Sequence, residues 1–201
     1  MLPYILIIII STAVIAVPNC IFTPGGEPWY MYLIMTVAAV IASVLIDGLV
    51  AFIFRRFPKR WMDPNKKIFI TSDKEMKFYE KIGVRKWKDK VPELGGFTSF
   101  HKDKLRDPWN IEYVERYMLE VCYGVVIHLF SPIFGFLVIL LDYRMYTGWS
   151  WMWLTIMIPV AIVNGILIVL PAFILKYNLP KLKMLWDINM KNKKKREEEY
   201  F

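Results

Sequence analysis

The stretch YMYLIMTVAAVIASVLIDGLVAFIF, residues 30–54, is an unbroken apolar run whose one charged side chain is Asp47. It exceeds the roughly 20 residues that carry a helix across the hydrocarbon core of a bilayer. A helix that is apolar on every side has no water-facing stripe, so it belongs in lipid or deep in a large core. Working outward, residues 2–17, 121–141 and 151–175 repeat the pattern with almost no charge between them. Four such segments predict an all-α polytopic membrane protein: a single integral domain over residues 1–201.

The rest of the composition agrees. Of 201 residues, 56% are hydrophobic and 22% charged, and the two classes are segregated along the chain rather than mixed as in a soluble domain. Of the 26 Lys and Arg, 17 fall in residues 55–119 and 8 in residues 176–201, while residues 18–29 have none. Basic loops stay on the cytoplasmic side, which predicts both termini and the central loop inside. A secreted disulfide domain and a soluble enzyme are excluded. The net charge of +8 sits beside membrane segments, so it points to anionic lipid and not to nucleic acid. The first four residues carry no basic side chain, which favours a membrane helix over a signal peptide; Pro18 and Asn19 are expected to end it near Val17. Cys20 and Cys122 are predicted on opposite sides of the bilayer, and no metal-ligand spacing exists, so no metal and no cofactor are expected.

Residues 55–119 are too many for a simple connector. Ser72 and Glu75 have the spacing of a capping box, and Gly83 sits where a left-handed glycine would end the same helix. Asp107 and Pro108 read as a second helix start, from which one helix runs on from Trp109 and enters the bilayer near Glu120. Residues 91–105 between them read as loop. Tryptophan alternates with basic residues at Arg55, Arg56, Lys59, Arg60 and Trp61, and again at Arg85, Lys86, Trp87, Lys88 and Lys90. Such clusters suit anionic headgroups, and equally a phosphate-rich ligand such as coenzyme A or an acidic carrier protein. Residues 176–201, ending in a basic block and three glutamates, read as a basic cytoplasmic tail, its last part a solvated or surface-lying extension.

Ionisable groups inside a bilayer are costly and tend to be functional. Asp47 lies seven residues before the cytoplasmic end of the second span, and His128 seven residues after the start of the third. Both are then roughly 10 Å below the cytoplasmic face. At matched depth a carboxylate can orient an imidazole and stabilise its protonated form. Pro132 deprives the His128 carbonyl of its helical partner. Glu120 stands where the same helix enters the membrane, and Asn164 reads as a helix–helix contact. Ser-centred nucleophile elbows and Gly-rich phosphate loops are absent from the sequence.

The order of three motifs is informative. Val84-Arg-Lys-Trp-Lys-Asp-Lys-Val-Pro-Glu93, then Glu120 with His128 eight positions on, then Tyr177-Asn-Leu-Pro-Lys-Leu182, resemble the glycosyl-4,4'-diaponeurosporenoate acyltransferase family. The resemblance runs from about residue 55 to residue 182. It implies a small bacterial membrane enzyme that esterifies a sugar hydroxyl of a glycosylated carotenoid with a fatty acyl chain. It also implies that Trp87, Tyr177 and Asn178 belong to the substrate site.

On this reading His128 is the general base for an acceptor hydroxyl attacking an acyl thioester, with Asp47 or Glu120 orienting the ring. Arg85, Lys86 and Lys88 hold the donor's phosphates, and Lys102 approaches the developing oxyanion. The donor is acyl-coenzyme A or an acylated carrier protein, and the acceptor is a lipid-like or glycosylated molecule. The competing reading is a non-catalytic scaffold or lipid-binding protein whose basic loop recruits anionic lipid.

Overall fold

The computed structural model describes residues 2–91, 105–142 and 150–199, with side chains from Ile5 onward. These residues are all-helical, with no strand among them. The principal helices are α1 (Leu2–Phe22), α2 (Trp29–Phe54), α3 (Asp73–Lys81), α4 (Val84–Trp87), α5 (Ile111–Gly135) and α6 (Ile158–Glu199). A 3₁₀ segment, Phe136–Leu141, extends α5, and a π-helical turn, Trp153–Met157, leads into α6. Four helical stretches are long and apolar enough to cross a membrane: Ile5–Phe22, Trp29–Phe54, Ile111–Leu141 and Trp153–Glu199. The chain is a membrane protein.

It folds as two compact units. The first comprises Met1–Arg55 and Ile127–Val169. Tyr32, Ala39, Met152, Ile156, Val160 and Ala161 form its core, where small side chains let helices approach closely. The Tyr32 hydroxyl donates to the Pro24 carbonyl at 2.7 Å, so the tip of a buried ring is satisfied. Thr36 and Ser43 donate back to the carbonyls of Tyr32 and Ala39, the usual solution for a hydroxyl in an apolar helix. Asp142 is buried and accepts from the Ser150 hydroxyl at 2.6 Å and from the Trp153 amide at 3.0 Å. It thereby satisfies an orphan amide at the start of the fourth span.

One expectation needs correcting here. Helix α1 does not stop at Val17 but continues through Pro18 to Phe22. Pro18 forfeits only the bond to the Val14 carbonyl, and the Asn19 side chain anchors the helix end. Its amide donates to the Ile15 carbonyl at 2.8 Å and to the Thr155 carbonyl at 3.1 Å. The residue read as a terminator is a tie between the first and fourth spans.

The second unit comprises Arg56–Val126 and Leu170–Phe201. Its centre is a cluster of Tyr79, Val84, Ile174 and Tyr177, against which Met76, Trp87 and Phe173 pack. Helix α3 begins at the capping box: the Glu75 amide donates to the Ser72 hydroxyl at 3.2 Å, and Glu75 Oε2 accepts from the Ser72 amide at 2.9 Å. Gly83 follows it with φ +67°, the left-handed conformation for which glycine has no Cβ penalty. The start of α5 differs from expectation. Asp107 and Pro108 form a turn, and Asn110 caps the helix by accepting from the Tyr113 amide at 3.1 Å. Gly124 on α5 is a close approach: a Cβ there would meet Leu175 Cδ1 of α6 at 2.7 Å.

Helix α6 continues unbroken to Glu199, and residues 191–199, read from sequence as a solvated or surface-lying extension, are exposed helix. Pro180 leaves the carbonyl of Lys176 without its helical donor. The Thr71 hydroxyl supplies the missing bond at 2.8 Å. Further along, Lys183 donates to Asn65 Oδ1 at 2.8 Å, Trp186 to Glu115 Oε1 at 3.0 Å, and Asn189 to the Pro108 carbonyl at 2.7 Å. These ties fix one face of the helix to the rest of the unit.

Candidate active site

In the first unit, α2, α5 and α6 bring together Asp47, Ser131 and Asn164. The Asn164 amide donates to Asp47 Oδ2 at 2.9 Å, and the Ser131 hydroxyl is a second hydrogen-bond partner of this carboxylate. Ser131 follows His128 by three residues, so the two occupy the same face of α5. Asp47 is therefore held beside the helix face that carries His128, by two partners that are buried or half-buried. At this level a methyl group added to either facing glycine would make only ordinary van der Waals contact between α5 and α6. A Cβ at Gly165 would lie 3.6 Å from Pro132 Cβ, and one at Gly135 would lie 3.6 Å from the Asn164 amide nitrogen. The expected helix–helix contact of Asn164 is thus a specific bond to the one carboxylate of the second span. Ser131 was not singled out from sequence, although its i, i+3 spacing from His128 was available.

In the second unit, the motif Arg85–Lys88 lies on α4 and the 3₁₀ turn that follows. Arg85 and Lys86 are exposed, while Lys88 pairs with Asp89 at 3.6 Å. The Trp87 indole donates to the Ile82 carbonyl at 2.9 Å and packs on the core cluster, which also contains Tyr177. Trp87 and Tyr177 thus fix the platform from which the basic side chains project. Asn178 is half-buried on α6, and Glu120 is half-buried on α5. Lys102 lies outside the described residues.

Lys176, next to Tyr177, was not predicted to matter. It is only 8% exposed, and its ammonium lies 2.6 Å from Glu75 Oε1. One carboxylate therefore caps α3 with one oxygen and clamps α6 with the other. Partial burial alone would raise the Glu75 pKa, but bonds from Lys176 and Ser72 and the lysine's charge outweigh it and hold the carboxyl below its usual value. Burial, with the nearby Glu75 charge, pushes the Tyr79 hydroxyl up to about 12, so it stays neutral at physiological pH. Glu75 and Lys176 are 101 residues apart, and no local pattern links them.

The same unit contains a cavity of about 310 Å³. It is lined by the polar side chains of Lys59, Asp63, Glu115, Lys183 and Asp187, together with Met118 and Trp186. Glu115 and Lys183 are already oriented by Trp186 and Asn65. A cavity with both donors and acceptors beside an aromatic face suits a neutral, polyhydroxylated group better than a simple anion. Sequence reading missed it because its walls come from three separate segments.

No match was found among curated proteins or solved structures. The family model for glycosyl-4,4'-diaponeurosporenoate acyltransferase matches residues 58–188, a range that holds Arg85–Lys88, Glu120, His128 and Tyr177. That match covers well over half of the chain, and the protein belongs to this acyltransferase family.

Proposed function

We propose that the protein transfers a fatty acyl group from a thioester to a hydroxyl of a glycosylated or otherwise lipid-like acceptor at the cytoplasmic leaflet. The family match over residues 58–188 is the observation that carries this reading. His128 acts as general base on the acceptor hydroxyl. Asp47, steadied by Asn164 and Ser131, supplies the negative charge that favours the imidazolium as the proton moves, and Glu120 is the alternative for that role. The donor's phosphates lie on Arg85, Lys86 and Lys88, with Arg85 offering a bidentate fork. Lys102 approaches the oxyanion, and Tyr177 and Asn178 border the substrate site. The protein works without a bound cofactor.

Purified protein in lipid nanodiscs, given a fatty acyl thioester and a glycosylated terpenoid, is expected to form the acyl ester with release of the free thiol. Mass spectrometry of the lipid extract reads the product. Failure with every thioester and hydroxyl acceptor offered, by protein that remains folded, overturns the reading.

The cytoplasmic leaflet follows from the 17 and 8 basic residues of the central loop and tail. In a background without native cysteines, Glu27→Cys is expected to react with an impermeant maleimide in intact cells, and Lys191→Cys only after the membrane is opened. The reverse pattern would put the thioester on the wrong side.

A further inference from the structure

From α6 we infer that the donor is presented by an acidic carrier protein, which docks on the exposed face of this helix beyond the membrane. The inference rests on the acyltransferase reading above and adds the identity of the partner. Residues Lys181, Met184, Ile188, Lys191 and Lys195 recur at intervals of three and four, so they share one face of α6. All five are exposed; Met184 is 65% and Ile188 44% accessible. The opposite face is occupied, with Leu179, Leu182 and Asn189 buried and Lys183 and Trp186 bonded to the rest of the unit. The docking face is therefore held at a fixed orientation by the ties behind it.

Two accessible apolar side chains framed by three lysines form the centre and rim of a small protein-binding patch, and methionine adapts well to such a contact. The position on the helix argues against lipid as the occupant. Met184 and Ile188 lie nine and thirteen residues beyond Leu175, the last residue of the apolar run. At 1.5 Å per residue this is roughly 14 to 20 Å along the axis, past a headgroup layer of about 5–7 Å. Lys181 is already ordered, its ammonium 4.0 Å from the centre of the Tyr177 ring. The basic rim selects an acidic surface and accelerates its encounter. An acyl thioester is carried by coenzyme A or by an acidic carrier protein; only the second has a surface that needs a patch of this extent. A flexible prosthetic arm then spans the interval between the docking face and the membrane.

The test uses the full-length protein in nanodiscs and, as probe, an acidic bacterial acyl carrier protein charged with palmitate. Wild-type protein is expected to bind it, with affinity falling as salt is raised. Lys191→Glu with Lys195→Glu should weaken binding at least tenfold, and Met184→Ser with Ile188→Ser should speed dissociation. Transfer from palmitoyl-coenzyme A, if it occurs, should stay unchanged in both. Unaltered carrier binding in the two double variants overturns the proposal. So does a wild-type protein that transfers from coenzyme A yet does not bind the carrier; in that case the acyltransferase reading stands. Carrier binding without transfer from either donor leaves the docking face intact and removes the acyltransferase reading instead. Loss of self-association or of liposome binding in the variants, with carrier affinity preserved, assigns the face to a second copy or to the membrane and overturns it as well.

Discussion

His128→Gln is expected to lower turnover by about 10²–10⁴-fold, the usual contribution of a positioned general base. Glutamine keeps a polar group of similar reach but cannot accept and return a proton near neutral pH. The loss should fall on kcat with donor and acceptor KM little changed, because the base acts on the proton in flight and not on ground-state binding. Thermal stability should hold, since the side chain is only half-buried. Asp47→Asn keeps the shape that Asn164 and Ser131 recognise but removes the charge. It should reduce kcat as well. A His128→Gln enzyme with wild-type kcat would exclude histidine as the base and favour a protein that binds lipid without transforming it.

The largest expected effect on stability is at Glu75. Replacement by Gln leaves the Lys176 ammonium, whose side chain is 10% exposed, without its counter-charge. Loss of one partner of a buried pair costs several kcal/mol, but the Glu75 side chain is 37% exposed, which reduces the figure to about 2 kcal/mol. For a chain of this size that is roughly 4–8 °C in the unfolding midpoint, readable by heating the protein in nanodiscs. The pH dependence gives an independent check. The folded-state pKa of Glu75 is below its usual 4.5, so its charge stabilises the fold above that pH, and this contribution disappears as pH falls through the folded value. Glu75→Gln should remove that acid-side loss. Lys176→Met should be milder, because the carboxylate it leaves behind reaches water and retains its bonds to Ser72. If Glu75→Gln melts as wild type does, the pair is a surface contact without structural weight.

The spans were legible because a bilayer imposes a demand that sequence states openly: a long run without charge. The capping box at Ser72 and the glycine at position 83 were legible for a similar reason, each being a local solution to a local shortage of hydrogen-bond partners. Pro18 and Asp107 misled because a stop or start signal is a statement about cost, and tertiary contacts can meet that cost. Asn19 bonds across to the Thr155 carbonyl, and Asn110 takes over the cap three residues later. Asp47 and Asn164 were each noticed as polar groups in apolar helices, but their bond to one another was not readable across 117 positions. The Glu75–Lys176 pair and the cavity beside Trp186 lay beyond local inspection, since their members come from segments far apart in the chain.

The bond from Thr71 to the Lys176 carbonyl has a bearing on how this sequence can drift. Pro180 creates the vacancy that the threonine hydroxyl fills. With proline in place, a valine at position 71 strands a carbonyl; with alanine at position 180, the helix fills the vacancy itself and the hydroxyl becomes dispensable. The permissible residues at position 71 therefore depend on history at position 180. A lineage that loses the proline first is released to explore the threonine site, whereas one that loses the threonine first passes through a less stable ancestor.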